Sequence, residues 1–209
     1  MNDHTPIVFV VDDDVSVRRA IKRILESVGL QSQLLASAQE FQLSKRPEAP
    51  SCLVLDIRLP GISGLDFQRQ LLASNIQIPI IFVTGHGDIA MTVRAMKAGA
   101  VEFLTKPFRD QDLLDAVQLA LKNDQARRRK EADIAVLRER FESLTPRERE
   151  VVVMVASGML NKQIAVRIAT TENTVKVHRS RAMGKMQANS LADLVKIVES
   201  LDLSFEKAS

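Results

Sequence analysis

Five short apolar runs alternate with segments of helical periodicity across the first 120 residues, and this alternation constrains the fold more than any other feature. The runs are residues 7–11, 30–35, 52–55, 78–83 and 101–104. Between the first two, residues 15–28 place Val17, Ile21, Ile24, Leu25 and Val28 on one helical stripe. Residues 38–43, 65–73 and 89–98 are the other helix candidates, and a further helix starts near Asp110. Strands that alternate with helices predict a parallel sheet covered on both faces. In such sheets ligands bind beyond the carboxyl ends of the strands.

The residues at those ends carry chemistry. The first run, IVFVV, drives straight into Asp12, Asp13 and Asp14. Like charges this close repel, so either a positive group sits there or the carboxylates point in different directions. The third run, in CLVLDIRLPGISGLD, ends in Asp56. The fourth, in IPIIFVTGHGD, ends in Thr84, followed by Gly85 and Gly87, and the fifth, in VEFLTKPF, ends in Lys106-Pro107. Carboxylates, a hydroxyl and an ammonium thus converge on one rim, where a hard divalent cation would hold the carboxylates together. Asp14 reads as pointing elsewhere, a helix N-terminal charge favoured by the dipole.

These motifs resemble the receiver domain of two-component response regulators over the whole first half. The resemblance implies a flavodoxin-like α/β fold with a five-stranded parallel sheet in the order 2-1-3-4-5. It implies that Asp56 accepts a phosphoryl group from a sensor histidine kinase. Asp12, Asp13, Asp56 and the backbone carbonyl of Arg58 would hold Mg²⁺, and Thr84 and Lys106 would contact the phosphoryl oxygens. Phe103 would be an aromatic switch, although a phenylalanine there also serves as plain core. A cis bond at Lys106-Pro107 is also implied. The residue types suit this chemistry. Mg²⁺ takes oxygen ligands and keeps several waters, a carboxylate is a competent covalent nucleophile, and cations neutralise charge on a transferring phosphoryl group.

Charge divides the chain. Residues 1–121 hold 12 Lys/Arg against 14 Asp/Glu, and residues 122–209 hold 17 against 12. Between Asn161 and Gln187 six residues are basic and only Glu172 is acidic. An acidic half joined to a basic half points to two tasks, the second on nucleic acid. The stretch from Asp110 to about Phe141 lacks Gly and Pro and reads as helix. Leu113, Leu114, Val117 and Leu121 form its first apolar face; Ile134, Leu137, Phe141 and Leu144 then make a short a/d seam. That seam suits either a dimer contact or packing on a neighbouring domain. Residues 127–130, RRRK, read as a solvated face, with phosphate contact as the alternative.

Four helix signals follow. Thr145-Pro146-Arg147-Glu148 is a capping box with Pro at the first helical position, and Gly158 ends that helix. Residues 161–168 form a short second helix, Thr171-Glu172-Asn173-Thr174 opens a third, and Ser190 caps a fourth. Two short helices joined by ATTEN make a helix-turn-helix. LTPREREV, NKQIA and TENTVKVHR together resemble the LuxR/NarL-type DNA-binding domain, an all-α four-helix unit. Receiver plus this unit is the FixJ/NarL class of response regulator, whose FixJ branch the long helical linker resembles.

The expected division is a receiver at 1–122, a helical linker at 123–142 and a LuxR-type helix-turn-helix domain at 143–209. On the third helix Lys176, Val177 and Ser180 would face bases of double-stranded DNA, with Arg179 at the edge. Lys162, Thr171, Asn173, His178 and Arg181 would contact phosphates and fix the register, and Thr174 would be a further DNA-binding residue. His178 is alternatively packed against its neighbours. Gly184 weakens this helix by about 1 kcal/mol relative to Ala. The last helix would pair two such domains on a two-fold operator. The implied action is phosphorylation-dependent homodimerisation and control of transcription with RNA polymerase.

Other classes fit less well. Asp12-x-Asp14-x-Ser16 loosely resembles the nucleophile motif of haloacid-dehalogenase-type phosphohydrolases, but that leaves Asp56 and the basic half without roles. A phosphate-independent interaction module would not need the full acid, threonine and lysine set. No enzyme activity is therefore expected. The longest apolar runs are far too short to span a bilayer, and MNDHTP lacks the regions of a signal peptide, which implies the cytoplasm. The single cysteine, Cys52, is expected to be an inert core thiol.

Overall fold

The structure is a computed structural model that describes residues 5–85 and 88–203. Gly87 and the opening MNDH lie outside them, as does the end of the chain beyond Leu203. The chain divides into two compact units, residues 1–128 and 129–209.

In the first unit, β1 (Ile7–Val11), β2 (Gln31–Leu35), β3 (Ser51–Asp56), β4 (Ile80–Thr84) and β5 (Glu102–Thr105) form a parallel sheet. Its order is β2-β1-β3-β4-β5, as the resemblance implied. Side chains alternate between two buried faces because successive strand residues point to opposite sides. Phe9, Val11, Leu53, Leu55, Ile80 and Phe82 pack with α2 (Ala38–Leu43), α3 (Gly64–Ala73) and α4 (Ile89–Lys97). Val8, Val10, Cys52, Val54, Ile81 and Val83 pack instead with α1 (Val15–Ser27) and α5 (Asp110–Glu142). Burial raises the Cys52 thiol far above its ordinary pKa, so it is an inert core group.

Helices α1 to α4 each start at a side-chain cap the sequence supplies. Asp14 is the N-cap of α1, its carboxylate accepting from the Ser16 amide at 2.7 Å. This resolves one of the three adjacent aspartates: Asp14 turns away from the other two. Gly64, the first residue of α3, sits against the end of β3. A Cβ there would lie 2.5 Å from the Asp56 carbonyl oxygen and 2.9 Å from Ile57 Cα. Only glycine admits that approach, which the Gly64 amide completes by donating to the Ile57 carbonyl at 2.8 Å.

The run RRRK departs from the solvated face expected of it. Asp124 on α5 is fully buried and accepts from the Ser51 amide at 2.9 Å. Arg127 Nη2 and Arg128 Nε donate to the same carboxylate, each at 2.6 Å. Only Arg129 and Lys130 are exposed. A carboxylate cannot be buried without donors, and these arginines supply them.

The second unit holds the end of α5 with α6 (Pro146–Ala156), α7 (Asn161–Arg167), α8 (Glu172–Met186) and α9 (Leu191–Ser200). Ile134, Leu137 and Phe141 pack against its core of Leu144, Val151, Val155, Ile164, Val175, Met186 and Leu194. The short seam therefore packs on the core of the second unit. Arg149 fastens the end of α5, donating to the carbonyls of Leu144 (3.1 Å) and Glu142 (2.5 Å).

The capping box at Thr145 forms as read, Glu148 reaching back to the Thr145 amide at 2.9 Å. Glu148 is buried and also accepts from Lys185 Nζ at 2.7 Å. That hydrogen bond, with the Thr145 amide, holds its carboxyl down at about 2. Lys185 thereby ties the end of α8 to the start of α6. Gly184 lies on the exposed side of α8, with no neighbouring atom to account for it.

Candidate functional site

Sheet register brings the rim together. Val11 pairs with Leu55 in parallel strands, so the next residues, Asp12 and Asp56, lie side by side. Both are buried, at 1% and 7% exposure, whereas Asp13 is exposed. One carboxylate oxygen from each of the three lies within 4.8 Å of the others. Lys106 comes from the far side of the sheet: Thr84 pairs with Thr105, and the Lys106 amide donates to the Thr84 carbonyl at 2.7 Å. Its Nζ donates to Asp12 Oδ2 at 2.6 Å and to Asp56 Oδ2 at 3.1 Å. The ammonium is thus a positive partner for the two buried aspartates. The Lys106-Pro107 bond is cis.

The electrostatics follow from burial. Desolvation raises Asp12 despite the hydrogen bond from Lys106. For Lys106, burial works to lower the ammonium, but hydrogen bonds to Asp12 and Asp56 outweigh it and raise the group. The Asp14 amide donates to Asp12 Oδ1 at 2.9 Å, and Arg18 Nη1 donates to the Asp12 carbonyl. The Arg58 amide donates to Asp56 Oδ1 at 3.2 Å, folding the β3–α3 loop over that carboxylate.

Thr84 is fully buried at the end of β4, one residue past the Asp56–Val83 pair. Phe103, on β5 opposite Phe82, is half-buried, the ring centroids 6.5 Å apart. It packs on the core beside the rim and is not part of the carboxylate cluster.

In the second unit, Lys162 on α7 and Asn173, Lys176, Val177, Ser180 and Arg181 on α8 are all exposed. Thr171 is the N-cap of α8: its Oγ1 accepts from the Thr174 amide at 3.2 Å. Lys176 pairs loosely with Glu172 at 3.5 Å. Arg179 is half-buried and donates to Asn161 Oδ1 at 3.4 Å, so it leans onto α7. His178 is half-buried with Nδ1 enclosed and without a hydrogen-bond partner, which leaves Nε2 as its outward nitrogen.

Residues 8–118 match the model of the response regulator receiver domain, and residues 142–198 match that of the bacterial regulatory proteins of the luxR family. The chain is a two-component response regulator with a LuxR-type DNA-binding domain. It is 54% identical to nodulation protein W of Bradyrhizobium diazoefficiens, over 95% of this chain and 87% of that one. It is 45% identical to the response regulator protein TodT of Pseudomonas putida, over 99% and 91% respectively. Among solved structures it resembles the response regulator StyR, with 49% identity and a TM-score of 0.79 over 93% of this chain and 98% of that one. The family regulates transcription under the control of phosphorylation and is not a family of enzymes. Among the described residues no helix is long and apolar enough to cross a membrane.

Two contributors escaped the reading of the sequence. Gly64, within CLVLDIRLPGISGLD, drew no role from the sequence, and Lys185 gave no sign of its partner Glu148.

Proposed function

We propose that Asp56 is the phospho-acceptor of this response regulator and that Asp12, Asp13, Asp56 and the Arg58 carbonyl hold Mg²⁺. The observation that carries this reading is the meeting of three carboxylates within 4.8 Å, with Lys106 Nζ bridging two of them. An all-oxygen donor set of this kind fits a hard cation that keeps several waters. When bound, Mg²⁺ supplies Lewis-acid neutralisation of the phosphoryl oxygens.

An Asp56 carboxylate oxygen attacks the phosphorus of the kinase phosphohistidine. The P–O bond forms as the P–N bond breaks, and the departing imidazole takes up a proton. Lys106 already stands at the acceptor, so its charge needs little reorganisation to stabilise the transferring group. Thr84 contacts the new phosphoryl group, and Phe103 follows as the switch. Domain roles divide as receiver 1–122, linker 123–142 and DNA-binding domain 143–209.

Phosphorylation alters the surface of α4 and β5, where Ile89 is 85%, Val93 44% and Met96 41% exposed, and favours a homodimer there. Such coupling requires the phosphoryl group to favour one of two states. Lys176, Val177 and Ser180 then read bases of a two-fold operator while Lys162, Thr171, Asn173, Thr174, His178 and Arg181 hold phosphates. Arg179, leaning on Asn161, fixes the α7–α8 pair. The cellular partners are a sensor histidine kinase and RNA polymerase, in the cytoplasm.

Incubation with acetyl phosphate and Mg²⁺ tests the site. The intact protein should gain the mass of one phosphoryl group, and Asp56→Asn should not. A gain that persists in Asp56→Asn overturns the assignment.

A further inference from the structure

A cleft of about 470 Å³ lies between α3 and α4, with Ile57, the residue after Asp56, in its lining. Ile57, Leu65 and Met91 give it an apolar floor, and Asp66, Arg69 and Arg94 stand at its edge. Its walls are joined: Gln68 on α3, 2% exposed, donates from Nε2 to the Ala98 carbonyl after α4 at 3.0 Å. Its volume falls in the range of small-molecule sites, about 300–1,000 Å³, and the pattern of apolar lining with a few convergent polar groups is theirs as well.

The charges define the occupant. Asp66 is engaged by Arg69 in an ion pair within α3. Arg94 donates only to the carbonyl of Ala90 on its own helix, at 3.3 Å, and no carboxylate pairs with it among the described residues. The cleft therefore offers one uncompensated guanidinium beside an apolar floor, a net charge of one. An amphiphile with a single negative charge matches that balance. A dianion would meet Asp66 with one of its charges unmatched.

We propose that this α3–α4 cleft binds a small amphiphilic monocarboxylate, its carboxylate on Arg94 and its apolar body on Ile57, Leu65 and Met91. Arg94 offers the planar, two-pronged donor geometry that a carboxylate accepts. Such a site gives the receiver a second, chemical input beside Asp56.

The test is a titration of the full-length protein followed by its Ile, Leu and Met methyl resonances, with octanoate, octanol and octyl phosphate as probes. Octanoate should shift Met91, Ile57 and Leu65 saturably and bind at least tenfold more tightly than octanol. Arg94→Gln, a change at an exposed position, should weaken octanoate at least tenfold with the remaining methyl spectrum unmoved. Arg94→Glu should abolish binding. The proposal is overturned if shifts are absent, spread over exposed methyls without saturation, or equal for octanol and octanoate. Unchanged affinity in Arg94→Gln, or tighter binding of octyl phosphate than of octanoate, overturns it as well.

Discussion

Replacing Asp124 asks whether α5 is fastened to the receiver sheet by a buried ion cluster. Its carboxylate is fully buried and takes the Ser51 amide together with Arg127 and Arg128. The two arginine side chains are 28% and 30% exposed, so water can reclaim them once the carboxylate is gone. The Ser51 amide has no such recourse, because Ser51 is 2% exposed. A buried donor left unpaired costs about 1–3 kcal/mol, and the half-exposed ion pairs add up to about 1 kcal/mol. Asp124→Ala should therefore destabilise the receiver by about 1–4 kcal/mol.

The converse change, Arg127→Met with Arg128→Met, strands a buried carboxylate on a single amide. Removing the partners of a buried charge costs about 3–5 kcal/mol. At neutral pH the double variant should thus be the less stable of the two. The chain has no Trp or Tyr, so far-UV circular dichroism and amide hydrogen exchange are the assays of choice. The Ser51 amide should exchange at least tenfold faster in Asp124→Ala. Parental protection at Ser51, or a double variant more stable than Asp124→Ala, would refute the reasoning.

Three further outcomes are expected. The Glu148 carboxyl lies at about 2 when folded against an ordinary 4.5, so its contribution is fully present above the higher value and is lost as pH falls toward the lower; calorimetry from pH 5 to 2 should show a shallower decline for Glu148→Gln than for the parent. Gly64→Ala would force the Asp56 carbonyl aside, costing about 1–3 kcal/mol as overpacking does, so a parental melting temperature with parental phosphoryl uptake would contradict the close approach. Lys176→Ala should cost about 1–3 kcal/mol at one position of each half-site, whereas Arg181→Ala should weaken all sequences alike and lower the salt slope by about 1; binding to operator and random DNA across salt separates the two.

The rim was legible because its members end strands. Short apolar runs are a local signal, and they placed each strand to within two residues. The register of a parallel sheet then brings Asp12, Asp56, Thr84 and Lys106 to one edge without further information. What remained hidden depends on partners far along the chain. RRRK looks the same whether it faces water or a buried carboxylate, and Asp124 meets Ser51 from 73 residues away. Spacing of Ile134, Leu137 and Phe141 marks an apolar face but not its partner. Gly64 is required by a carbonyl of another element, which no turn pattern expresses, and Lys185 meets Glu148 across 37 residues. Asp14 was the reverse case: a side chain that caps its own helix needs only local sequence to be read.

The central claim is that a phosphoryl group on Asp56 controls DNA binding by the other half of the chain. The most direct measurement is the affinity of the full-length protein for an operator selected from random DNA, with and without acetyl phosphate and Mg²⁺, in the parent and in Asp56→Asn. The expected result is a rise of at least tenfold in the parent, accompanied by dimerisation, and none in Asp56→Asn. An equal rise in both proteins, or parental affinity that ignores the phosphodonor while Asp56 takes up the phosphoryl group, would contradict it.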